Sequence, residues 1–165
     1  MTDASYHDVG ELVSALAKDD AVERQSAREK LVNIGSAAVP SLLDLLGDDQ
    51  QHVRWEAAKT LAAIADPTAT EQLVETLNDE DPDVRWVAGE ALIALGQESV
   101  KPLLTALTKS VDPERMYKGA HHVLHDLART KNLAALLGPV LEAFDQPEPE
   151  VAVPVAAAST LAVAS

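Results

Sequence analysis

The chain has 165 residues, enough for one domain with a real core, and 47% of them are apolar, which excludes a disordered polymer. Aromatics make up 3% and the apolar content is mostly Ala, Leu and Val, a mix suited to close-packed helices rather than a β-sandwich. With 13 Lys+Arg against 27 Asp+Glu, the formal charge of −14 repels phosphate backbones and anionic lipid, so neither nucleic acid nor a membrane is an expected partner.

The start, Met1-Thr2-Asp3-Ala4, has neither the basic nor the apolar part of a signal peptide, and the reading is a soluble, cytoplasmic protein. There is no cysteine, hence no disulfide, thiolate nucleophile or Cys-type zinc site. From there the chain divides into units of 6–35, 36–66, 67–97, 98–130 and 131–165. The first closes on a segment from Glu23 to Leu31, whose Glu23, Arg24, Gln25, Arg28 and Glu29 give the polar outer face of a terminal cap. The second has a short apolar helix around Leu42-Leu43-Asp44-Leu45-Leu46, a break at Gly47-Asp48-Asp49, then the segment Val53 to Leu61. In the third, Gln72 to Leu77 precedes Asp81-Pro82 and the segment Val84 to Leu92; in the fourth, Leu103 to Leu107 precedes Asp112-Pro113 and Met116 to Leu124. Asp before Pro reads as an N-cap with Pro at the first helical position.

The four longer segments superimpose without gaps. Their closing leucines (Leu31, Leu61, Leu92, Leu124) are spaced by 30, 31 and 32 residues, and Ala27, Ala57, Ala88 and Ala120 fall at one equivalent place. Such a period is the signature of stacked helix pairs, none able to bury its apolar face alone. The expected fold is therefore all-α: a right-handed α-α superhelix, or solenoid, of about five helix pairs. The last unit departs from the pattern, with Gly138-Pro139, Pro147, Pro149 and Pro154 and no charge after Glu150. Val151 to Ala164 is too short and too Ala-rich to span a bilayer, and lacking a polar cap it is expected to self-associate or to continue into further repeats.

The residues Asp79-x4-Val84-Arg85-x2-Ala88-x3-Leu92 and Asp48-x4-Val53-Arg54-x2-Ala57-Ala58-x2-Leu61 resemble the HEAT-like repeats of the phycobilisome lyase family, a likeness that covers residues 12–128 well. The resemblance implies a ladder between units in which Arg54 and Arg85 bond to Asp48, Asp79 or Asp81. Tyr117 replaces the arginine in the fourth unit, where the ladder would stop. The resemblance also implies an alternative function, the handling of a bilin chromophore.

In such a pair the second helix lines the concave face. At 100° per residue, the arc opposite the core takes the third, sixth and tenth residues of each segment. That stripe is Gln25, Arg28, Val32; Trp55, Ala58, Ala62; Trp86, Gly89, Ile93; and Lys118, His121, His125. Trp55 and Trp86 are either packing between repeats or an apolar shelf that anchors a protein or peptide; with Lys118, His121 and His125 they form the candidate partner-binding set. His121 and His125 stand one turn apart, the spacing of helical zinc pairs, but His122 occupies the place of the metalloprotease glutamate and no third ligand lies nearby. No metal and no cofactor are expected. Without a phosphate loop, nucleophile elbow or paired carboxylates, the reading is a non-catalytic interaction module rather than an enzyme.

Overall fold

The computed structural model describes residues 3–109 and 113–164; of the sequence features above, Met1-Thr2 and the Asp112 cap lie outside them. Among the described residues there is no strand, and ten α-helices form five successive antiparallel pairs. These are α1 (Asp3–Ala15) with α2 (Ala21–Ile34), α3 (Val39–Leu45) with α4 (Gln51–Ile64), and α5 (Thr70–Thr76) with α6 (Pro82–Leu95). They continue as α7 (Val100–Leu107) with α8 (Pro113–Leu127) and α9 (Lys131–Phe144) with α10 (Pro149–Ala164).

Local chemistry sets the helix ends. The Asp20 carboxylate accepts the amides of Val22 (2.7 Å) and Glu23 (3.0 Å) at the start of α2. Asp81 does the same for Asp83 (2.9 Å) and Val84 (3.1 Å) at α6, with Pro82 next to it, where a missing N–H costs nothing. Gly35 (φ 72°, ψ −139°) and Gly96 (φ 63°, ψ −128°) end α2 and α6 in a backbone region that a Cβ excludes. Three short 3-10 turns, Gly35–Ala38, Pro67–Ala69 and Gly96–Ser99, then carry the chain across to the next first helix.

The repeated alanine and leucine positions form the spine of the core: Ala27, Ala57, Ala88 and Ala120 are buried, as are Leu31, Leu61, Leu92 and Leu124. Small residues at the crossings let the second helices come together. A Cβ on Gly89 of α6 would meet Val123 of α8 at 3.5 Å; one on Gly119 would press at 3.0 Å on Leu77, just past α5, so that glycine seats α8 against a first helix instead. The second helices α2, α4, α6 and α8 stack on one another in succession as one continuous layer.

The fifth pair does not repeat this stacking. A regular stack would set α9 on α7 and α10 on α8; here α9 lies against α8, and α10 against α9 and α7. The joint explains it. Only residues 128–130 separate α8 from α9, without the 3-10 turn that crosses to the first-helix layer elsewhere, so α9 must begin beside α8. Helix α10, uncharged after Glu150, thus closes the first-helix layer, with Val153, Ala157 and Thr160 buried and Val151, Val155 and Val163 exposed.

Candidate partner-binding face

Three second helices carry an arginine at the same place, and each reaches back to its own linker in the same way. Arg24 Nη1 donates to the carbonyls of Lys18 (2.8 Å) and Asp19 (2.7 Å). Arg54 Nη1 donates to those of Asp48 (3.0 Å) and Asp49 (3.3 Å), and Arg85 Nη1 to those of Asp79 (2.7 Å) and Glu80 (3.1 Å). The carbonyls sit five and six residues upstream every time, so the guanidinium holds the turn that precedes its helix.

The remaining nitrogens link one unit to the next. Arg54 grips Asp79 two-pronged, Nε to Oδ2 at 2.8 Å and Nη2 to Oδ1 at 3.0 Å, and the carboxylate holds the buried guanidinium more firmly protonated than usual. Arg24 Nε reaches Glu56 at 3.2 Å, and Arg28 pairs with the same buried carboxylate. Asp81 is the α6 cap rather than an arginine partner. Partial desolvation alone would raise its carboxyl, but the amides of Val84 and Asp83, then the Gln51 side chain, hold it below the usual range. Asp48 meets Arg54 through its carbonyl, while its carboxylate accepts the Gln50 amide at 2.9 Å. Sequence reasoning misses Glu56 and the ladder role of Arg24: Arg24 stands in the right register, but its polar neighbours on α2 read as a terminal cap.

The solvent-facing arc departs from the predicted stripe at its sixth position. Ala58 and Gly89, which the stripe places opposite the core, are buried between neighbouring second helices. Position seven (Glu29, Lys59, Glu90) replaces position six at the surface in the first three units, because the close approach of the second helices occupies that flank; in the fourth, His121 and His122 are both half-buried. The two tryptophans consequently differ. Trp55 is half-buried against the core, with Lys59 Nζ 6.0 Å from its ring centroid. Trp86 is 57% exposed and stacks on His122, centroids 4.6 Å apart at 23°. His122 in turn meets Glu90 Oε1 at 3.2 Å, so α6 and α8 hold the indole jointly.

Further along α8, Lys118 is exposed and lies 3.8 Å from Glu114. His121 and His125 are adjacent, with centroids 6.1 Å apart at 29°, and His121 also sits edge-on to Phe144. Among the described residues no group of three or more His, Cys, Asp or Glu is placed to hold a metal ion, and no helix is long and apolar enough to cross a membrane.

Paired helices, a repeated arginine clamp and one open helical layer define an α-solenoid repeat protein. The HEAT repeats match over residues 9–93 and 61–125, and the chain belongs to that family. Among solved structures it is similar to a chain in the complex of CpcE and CpcF of phycocyanin lyase from Nostoc sp. PCC7120. That likeness has 23% identity and a TM-score of 0.64, over 94% of this chain and 98% of that one. It is also similar to a designed armadillo repeat protein in complex with the peptide (KR)4, at 23% identity, 92% and 81% coverage and a TM-score of 0.47. No curated protein matches.

Proposed function

We propose that this chain is a non-catalytic protein-interaction module that takes a protein or peptide partner on the second-helix layer. Trp86 carries the reading. A large indole more than half exposed, steadied by the His122 ring and a neighbouring carboxylate, is pre-organised as an anchor and loses little freedom on binding. Lys118, His121 and His125 extend the same face, and Trp55 contributes its edge beside Lys59. The similar phycocyanin lyase chain is one of two proteins in a complex, which fits a partner for this fold.

The test compares Trp86→Ala with Trp55→Ala in affinity capture and thermal melting. Trp86→Ala should abolish capture, a loss of about 2 kcal/mol or more, while the melting temperature moves by no more than about 2 °C. Trp55→Ala should chiefly lower the melting temperature. Equal destabilisation by both, with the captured partner retained, would make both rings packing. A visible-band shift when a bilin is added, lost in Trp86→Ala, would replace the reading with chromophore handling.

A further inference from the structure

At the end of the second-helix layer α8 and α9 build a second aromatic feature. Tyr117 and His121 stand one turn apart on α8, and both are nearly perpendicular to the ring of Phe144 on α9. Tyr117 meets Phe144 at 5.4 Å and 89°, and His121 meets it at 5.2 Å and 79°. All three rings are half-buried, and they wall an open cleft whose rim carries Lys118 and Asp145.

The charge around this cleft is unequal. Lys118 lies beside the Glu114 carboxylate, one turn back along α8. Asp145 is exposed on the opposite rim, and Glu150 is close enough to reinforce burial in pushing the Tyr117 phenol up. Asp145 lines the cleft and Glu150 acts on Tyr117, while the Lys118 ammonium on the rim is offset by Glu114, on a chain whose formal charge is −14. Ring faces with carboxylates beside them attract a cation that is weakly hydrated enough to leave water, as an alkylated ammonium is.

We propose that the Tyr117–His121–Phe144 cleft is a binding site for an alkylammonium group, the side chain of a lysine or N-methylated lysine on a peptide. This site lies on the face assigned above to a partner, but its chemistry does not depend on Trp86. The two readings fail separately.

Phe144 is the single phenylalanine, so its ring resonances report on the cleft alone. The probe is a short neutral peptide carrying one trimethyllysine, titrated into the intact chain, against the same peptide with an uncharged tert-butyl isostere. Saturable shifts of the Phe144 ring and ring-current shifts of the probe methyls are expected. The isostere should bind about tenfold more weakly, and Asp145→Asn, at an exposed position that leaves the fold intact, should weaken the cation about threefold. Equal affinity for the isostere would make the cleft merely apolar. Stronger shifts with an acetylated acidic peptide would assign it to anions through Lys118, and no shift at millimolar probe would remove the site. Any of these three results overturns the proposal, whatever Trp86→Ala does to partner capture.

Discussion

Where the second helices end, one residue position takes two different solutions. Gly35 and Gly96 occupy a conformation only glycine reaches, whereas Ala65, at the equivalent place after α4, sits in the left-handed region (φ 52°). An L-residue there costs about 1–2 kcal/mol, part of which glycine gives back through its freer unfolded chain. Ala65→Gly should therefore stabilise the protein by about 0.5–1 kcal/mol, raising the melting temperature by a few degrees. Gly96→Ala should cost about 1–3 kcal/mol, although nothing lies within 4 Å of the added Cβ, because the penalty is in the backbone. Denaturant melts of both variants settle this. A destabilised Ala65→Gly would mean that the chain's loss of entropy outweighs the strain.

At the scale of the helix pair, the arginine ladder sets the junctions. Arg54 serves two linkers at once, its own through the carbonyls of Asp48 and Asp49 and the next through the Asp79 carboxylate. Removing it leaves a half-buried carboxylate and two carbonyls without their donor, so Arg54→Ala should cost about 3–5 kcal/mol. Arg54→Lys should recover less than half of that, since an ammonium cannot reproduce the two-pronged grip. If lysine restores full stability in urea melts, the guanidinium geometry is incidental. The repeat, the helix pairing and this arginine register were legible in the sequence because they depend on short-range periodicity. The departure of the open arc at its sixth position was not. It is set by how closely α4, α6 and α8 approach, which Gly89 permits between α6 and α8 but a single-helix projection does not show. The turned final pair escaped for a related reason: its signal was a missing joint of one or two residues, visible only when all the joints are compared.

For the molecule as a whole, two electrostatic effects oppose each other as the pH falls. A formal charge of −14 repels itself, and screening or partial protonation relieves that strain. Against this, several carboxyls are held low in the fold. Asp20 is lowered by the amides of Glu23 and Val22, Asp66 by the hydroxyls of Ser36 and Thr68, and Asp81 by the amides of Val84 and Asp83 acting against desolvation. A carboxyl with a depressed folded pKa contributes stability above its unfolded value, and that contribution is lost as pH drops through the folded value. The ordinary Asp value of 3.8 places the loss below about pH 4. Between pH 8 and 5 these caps stay ionised, so charge relief alone should act and the melting temperature should hold or rise slightly. Below about pH 4 it should fall steeply as the caps of α2 and α6 protonate. Added salt separates the two effects. At pH 7, raising NaCl from about 20 to 300 mM should increase the melting temperature by a few degrees, because the Debye length shrinks from about 20 Å to under 10 Å and long-range repulsion is screened. The partly buried Arg54–Asp79 contact is screened much less. A melting temperature that falls with salt at pH 7 would mean that exposed attractive pairs outweigh the net charge.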